Sequence, residues 1–424
     1  MKKILIFFIF LINYSYADVN WSETINLSPL GYNAINAQIA INKLDGEAVA
    51  VWEIFDGETN VIQFSYSSNS LQKWSDPILL TQSDQISQEP KIAITDDGKI
   101  IVIFRKFDGN YYRITQIHTL ENFQAWSEQV YLSDEKNHAC DADIALTSSG
   151  DAVITWVVGD QIQIKKSSNN FQDWSEIFAI TESGCGVSKP LVVINDFSEA
   201  IIIWGSYDWN KFQIKESHSS DSIQSWSLPI SLSDVVEKFE YKMITNGSDV
   251  IVAFSTYNKN SRVKEIHSLN NLQNWSLPVV LSEEDYNSDD FDCLCINKEA
   301  VVIWKKNNGL HDEICFTKSS DGLQNWSAPQ NLSGSENILY SPKICTKNMT
   351  EVLVSWRKIN ESKNLIVQET DSSNDIRDWS TPIDLSALEN DNFKINLVSD
   401  DVKMIAYWMG YVDLNLVLQL KFSR

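Results

Sequence analysis

Arginine is scarce in this 424-residue chain: six in all, at Arg105, Arg113, Arg262, Arg357, Arg377 and Arg424. Together with a formal net charge of -23, this leaves a surface that repels phosphate backbones and anionic lipid, so nucleic-acid binding is disfavoured. Long apolar runs are missing beyond residue 12, which argues against a spanning helix. No glycine-rich phosphate loop, nucleophile elbow or HExxH helix is present, so the phosphate-binding, hydrolase and zinc-protease sites most legible in a sequence have no support. The acidity itself has a plain role, in keeping a large β protein soluble.

The first seventeen residues read as an export signal. Lys2 and Lys3 precede the short apolar run Ile4 to Ile12, and Ser15-Tyr16-Ala17 offers small residues for cleavage after Ala17. Residue 18 is Asp, not the cysteine that a lipid anchor would need. The expectation is a secreted or periplasmic monomer without membrane insertion, formed by one domain over residues 18–424.

Tryptophan, by contrast, is abundant, and fourteen of the fifteen recur about every fifty residues. One set is a Trp-Ser pair at Trp21, Trp74, Trp126, Trp174, Trp226, Trp275, Trp326 and Trp379. The other closes an apolar run at Trp52, Trp156, Trp204, Trp304, Trp356 and Trp408, with Phe104 and Phe254 in the two remaining places. Eight copies of one unit of about 51 residues dictate the architecture before local propensity is weighed.

Residues 92–104 (IAITDDGKIIVIF) and 144–156 (IALTSSGDAVITW) show the unit's first half: two β-rich runs around a tight turn. The second run is almost continuously apolar, as in Ala200-Ile201-Ile202-Ile203-Trp204, and such a strand must be covered on both faces. A third strand alternates, as in Gln161-Ile162-Gln163-Ile164. A turn then leads through Trp-Ser into a fourth, with Leu or Ile six places after the Trp and Ser or Thr at the seventh. Proline three places after the Trp, at Pro77, Pro229, Pro278, Pro329 and Pro382, marks that strand as an outer edge. Four-stranded antiparallel sheets covered on both faces are the blades of an all-β propeller. The last unit stops without a fourth strand, and the mature chain begins with one, residues 21–28. Eight blades are therefore expected, with the N-terminal strand pairing into the last.

The turn before each Trp-Ser reads Ser-Ser-Asp-Gly-Leu-Gln-Asn-Trp at 319–326 and Ser-Ser-Asp-Ser-Ile-Gln-Ser-Trp at 219–226. It resembles the Asp-box, or bacterial neuraminidase repeat, whose frame is Ser-x-Asp-x-Gly-x-x-Trp. The family's glycine is replaced here by Leu, Phe or Ile. The resemblance implies a sialidase-like propeller. It does not carry over the sialidase catalytic set, because no Arg-Ile-Pro is present and six arginines do not supply a matching triad. No residue is assigned as catalytic.

His118, His218 and His267 share one slot eight residues before a Trp-Ser tryptophan, so they lie in different blades and do not converge as metal ligands. The acidic loop 283–292 could offer oxygen ligands to Ca²⁺ but has no fixed loop spacing, so no metal or cofactor is assigned. Cys140 and Cys185 occupy corresponding loops of neighbouring repeats and are the candidate disulfide; Cys293, Cys295, Cys315 and Cys345 read as small buried side chains.

The candidate ligand-binding positions are those that break the repeat. Trp209 belongs to neither tryptophan set and, with Tyr207, falls between the second and third strands of the fourth blade. An exposed Trp–Tyr pair there could stack on a sugar or anchor a protein. Arg105, Lys305 and Arg357 follow the strand-closing aromatic in blades two, six and seven, where they could grip a carboxylate or simply pair with nearby acids. The expected function is an exported binding module for a glycan or protein on its loop-rich face. A glycoside hydrolase or lyase on that face and a non-catalytic envelope scaffold are the alternatives.

Overall fold

The computed structural model describes residues 19–424, apart from 69–70, 121–122, 124, 185, 209–210, 235, 237, 247–248, 258–259, 270–271, 273, 297–298, 335–337, 349–350, 374–375, 387–390 and 401. The described residues form eight antiparallel sheets and no helix. Each sheet is an up-and-down meander with its first strand innermost. Blade 1, for example, comprises Ala34–Ile41, Ala48–Phe55, Asn60–Ser67 and Ile78–Leu79. Blade 8 takes its outermost strand from the other end of the chain, where Ile25 and Asn26 pair with Leu420 and Gln419. The ring is closed as the repeat required.

The second strand of each blade is the core. Every residue of Ala152–Val158 is buried, and the strand-closing tryptophans are at most 1% exposed. Neighbouring sheets cover both faces, so an uninterrupted apolar run has no solvent side. In three blades a glutamine one strand away satisfies the indole: Gln63 accepts from Trp52 at 3.1 Å, Gln163 from Trp156 at 3.2 Å and Gln419 from Trp408 at 2.9 Å, whereas the buried Nε1 atoms of Trp304 and Trp356 have no partner among the described residues.

The outer strand is shorter than its sequence pattern suggests, only two residues in blades 1 to 6. The two hydroxyls of the repeat extend it. The serine after each tryptophan accepts a third-strand N–H, as Ser227 does from His218 at 3.0 Å. The Ser or Thr seven places after the tryptophan accepts another in all eight blades, from Thr81 with Ile62 at 2.9 Å to Ser28 with Leu418 at 2.8 Å. These donors would otherwise be buried and unpaired, a cost of about 1–3 kcal/mol each. The aliphatic residue between the hydroxyls is buried throughout, as at Leu132 and Leu385.

The Asp-x-x turn explains the missing glycine. Leu71, Phe123, Phe171, Ile223, Leu272, Leu323 and Ile376 all hold left-handed backbone, with φ between 58° and 70°. That conformation costs an L-residue roughly 1–2 kcal/mol, and each of these side chains is buried. Burying a Leu, Ile or Phe side chain contributes about 1.5–3 kcal/mol, enough to offset the strain. The Asp or Asn of the turn accepts the local donors, as Asp321 Oδ1 does from Asn325 N–H at 2.9 Å and the Ser319 hydroxyl at 3.1 Å.

Candidate axial binding site

In seven of the eight innermost strands a β-bulge sets two residues against one, opposite or beside the strand-closing aromatic. The bulged residues Asn36, Glu89, Asp141, Lys189, Asp290, Ser341 and Lys394 have φ between 47° and 56°. A bulge turns an extra residue out of the ladder and leaves a backbone amide to be satisfied. Proline follows the bulged residue at Pro90, Pro190 and Pro342. An inner-strand proline is tolerated at a bulge, so these three were the available sequence signal for a feature that the repeat pattern alone does not reveal.

Carboxylates of the preceding blade take up the bulge amides. Glu53 accepts from Glu89 N–H at 3.1 Å, and Asp141 from Lys189 N–H at 3.3 Å. Asp290 accepts from Ser341 N–H in the same way. Two residues farther on, Asp143 accepts from Val192 N–H at 3.1 Å and pairs with Lys91 at 3.6 Å. Asp292 repeats this in blade 6, accepting from Ile344 N–H at 3.2 Å and pairing with Lys242. Much of the charge around the axis is thus structural. Desolvation raises the Asp143 carboxyl above its ordinary pKa, against the opposing pull of Lys91.

Between blade 8 and blade 4 the bulges surround a cavity of about 380 Å³. Its walls include Lys91, Arg105, Lys189 and Lys394 on the basic side and Glu89, Asp141 and Asp143 on the acidic side. Arg105 is held over the Tyr112 ring at 4.4 Å, pairs with Glu89 at 3.4 Å and donates to Gln88 at 3.3 Å, while its buried Nε has no partner among the described residues. Lys394 reaches Asn36 Oδ1 at 3.4 Å.

The three cations singled out in the sequence are not gathered at one point. Arg105 lines the axial cavity, whereas Lys305 lines a separate one between blades 5 and 6 and pairs with Asp289 at 3.1 Å. Burial works against the Lys305 charge, but Asp289 outweighs it and raises the pKa. Arg357 donates to the Ser341 hydroxyl at 2.7 Å, and Lys305 and Arg357 approach the Tyr340 ring at 5.9 and 5.5 Å. Tyr207 is 46% exposed at the rim of blade 4. Trp209 and Cys185 lie outside the described residues, so the proposed exposed indole and the Cys140–Cys185 bridge have no structural description.

The histidines follow the repeat: His218 meets Glu216 at 3.2 Å, His267 meets Glu265 at 3.1 Å and His118 meets Gln116 at 3.1 Å, each within its own blade. Among the described residues no group of three or more His, Cys, Asp or Glu is placed to hold a metal ion. In the acidic loop, Glu283 and Glu284 pair with Lys306 and Arg262. Cys293 and Cys315 are buried, which pushes both thiols up to about 12.

No family model matches the sequence, and no curated protein does. Among solved structures, the chain is similar to an ulvan lyase described as a new family of polysaccharide lyase, with a TM-score of 0.53 at 8% identity over 94% of this chain and 95% of that one. The polysaccharide lyase Uly1 gives a TM-score of 0.49 at 10% identity, covering 97% and 94%. The NanB sialidase from Streptococcus pneumoniae gives 0.42 at 11% identity, covering 92% and 85%. At 8% identity the likeness to the ulvan lyase establishes one thing, a shared fold.

Proposed function

We propose that this chain is an exported propeller that binds an acidic glycan in its axial cavity. One observation carries the reading: four cationic side chains, Lys91, Arg105, Lys189 and Lys394, wall a single concave site in a chain of net charge -23. Charges farther apart than about 8 Å are largely screened at physiological salt. A carboxylate in the cavity therefore feels the local balance, four cations against the carboxylates of Glu89, Asp141 and Asp143, more than the acidic exterior. Arg105 is pre-oriented on Tyr112, and a ligand carboxylate that displaces Glu89 and Gln88 from its guanidinium would gain a planar, two-point grip. A whole-length structural neighbour is by its title a polysaccharide lyase, which favours a glycan over a protein as the partner class. The Asp-box resemblance, the leader at residues 1–17 and a monomeric state belong to the same proposal.

Hydrolysis or lyase chemistry on this face is the second reading, favoured by the carboxyls of Glu89, Asp141 and Asp143 around one cavity. Asp141 and Asp143 weigh against it, because each accepts a backbone amide of the next blade and Asp290 and Asp292 do the same in blade 6. An array of neutral and acidic glycans, run beside a fluorogenic glycoside panel and an assay for unsaturated lyase products, separates the readings. Retention of acidic glycans, lost in Arg105→Ala and without turnover, supports binding. Turnover abolished by Asp143→Asn would replace that reading with catalysis, and retention of no glycan would end it in favour of the scaffold.

A further inference from the structure

Blade 5 breaks the axial pattern. Its innermost strand, Lys238–Asn246, pairs residue for residue with Asp249–Tyr257 and has no bulge. Where other blades turn a residue out, Tyr241 instead reaches back into blade 4, accepting from Gly205 N–H at 2.9 Å and donating to the Ser188 carbonyl at 3.0 Å. Two further cavities flank this strand. One, of about 360 Å³, is walled by Phe212, Tyr241 and Phe291 and shares Lys189 and Leu191 with the axial cavity. The next, of about 530 Å³, carries the hydroxyls of Ser255, Thr256 and Ser261 beside Lys305, and Glu240 lines both.

We propose that the three cavities form one groove and that its occupant is an internal stretch of an acidic polysaccharide, not a terminal sugar. The inference rests on the acidic-glycan reading above and specifies its substrate. Adjacent cavities share lining residues, Lys189 and Leu191 at one junction and Glu240 at the other. The chemistry changes along the groove as a chain ligand requires: cations around Arg105, the partly exposed Phe212 ring for the apolar face of a sugar, then polar residues and a second cation at Lys305. Phe212 is itself backed by Tyr207, a ring outside the lining of the three cavities. Tyr207 lies so close to Gly186 that an added Cβ would come within 2.4 Å of its ring, and its centroid is 5.9 Å from that of Phe212. Glycine at 186 is therefore what lets this ring lie over the backbone. Arg105 and Lys305, which do not meet at one point, become the two ends of one site.

The test is calorimetric titration of the intact chain with size-graded oligosaccharides, from one to eight units, of polygalacturonate, alginate and hyaluronate. Affinity is expected to rise about tenfold or more between the disaccharide and the hexasaccharide of the polymer that binds. Gly186→Ala, which displaces Tyr207, and Phe212→Ala should remove that gain and leave disaccharide affinity within about twofold. Lys189→Asn, which tolerates the left-handed backbone, should weaken the hexasaccharide more than the disaccharide. Equal affinity for all lengths, or an undiminished gain in folded variants, overturns the groove and leaves the acidic-glycan reading standing. Failure of all three polymers to bind at any length overturns that reading, and the groove with it.

Discussion

The indole N–H of Trp326 in blade 6 donates to the carboxylate of Glu265 in blade 5 at 3.1 Å. The same joint recurs around the ring with two chemistries. Trp275 donates to Glu216 at 3.3 Å and Trp21 to Glu369 at 3.1 Å, whereas Trp126 and Trp379 stand edge-on to Phe64 and Phe316 at 5.2 and 4.9 Å. Each repeat tryptophan thus packs on the preceding blade, half-buried, and fastens neighbours together. Replacing a buried charge by a well-packed apolar residue is often neutral, while truncating it leaves a void and an unpaired donor. Glu265→Phe should keep stability within about 1.5 kcal/mol, and Glu265→Ala should lose roughly 2–4 kcal/mol. Chemical denaturation of both variants checks the order, and equal losses would show that the joint does not accept the aromatic solution.

His218 and His118 occupy one repeat slot but should titrate on opposite sides of 6.5. The hydrogen bond to Glu216 raises His218, with burial opposing, and burial lowers His118 beside the neutral Gln116. A raised histidine contributes stability that is present in full below 6.5 and is lost as pH climbs through its folded value. His118 has the reverse sign: its contribution is present above 6.5 and is lost as pH falls through its depressed value. Imidazole C–H titration by NMR should resolve the two, and Gln116→Glu should move His118 upward. An unmoved His118 in that variant would rule out the carboxylate as the cause.

Leu323 sits at φ 66° and is only 5% exposed. Glycine would relieve roughly 1–2 kcal/mol of left-handed strain but remove a buried side chain worth about 2–5 kcal/mol. Leu323→Gly should therefore destabilise by about 1–3 kcal/mol, although glycine is the residue that the resembled motif carries there. A melting temperature unchanged or raised would mean that strain outweighs burial at this turn.

Ring closure depends on a few N-terminal residues. Leu27 is buried and its N–H donates to the Leu418 carbonyl at 2.7 Å, while Ser22 and Ser28 accept from Phe422 and Leu418. A chain starting at residue 29 would expose the edge of blade 8, where unpaired strand groups template association. It should melt well below the parent chain and aggregate, and a peptide of residues 19–28 added in excess should partly restore the melt. Equal stability of the shortened chain would show that the circle holds without this strand.

The eight blades, the strand order within them and the closing strand were legible because each follows from periodicity. A tryptophan every fifty residues, an apolar run and an outer-edge proline are local signals repeated until chance is excluded. The repeat hydroxyls were legible as positions but not as ladder extensions, because the outer strand proved to be two residues long. The axial site was only partly legible. Arg105 and Lys305 stand out against their repeat slots, and Pro90, Pro190 and Pro342 mark three of the bulges in inner strands where the repeat has no fixed proline.

Sequence alone determined the architecture, since any unit with one strand apolar on both faces must bury it between copies of itself, and eight copies make the ring. The tertiary structure decided what the charged residues are for. Whether a carboxylate holds a neighbour's amide, as Asp141 and Asp143 do, or a cation faces a cavity, as Arg105 does, depends on partners about fifty residues away or in another blade. Such pairing is a matter of angstroms between neighbouring blades, and the repeat spacing alone does not say which side chains meet.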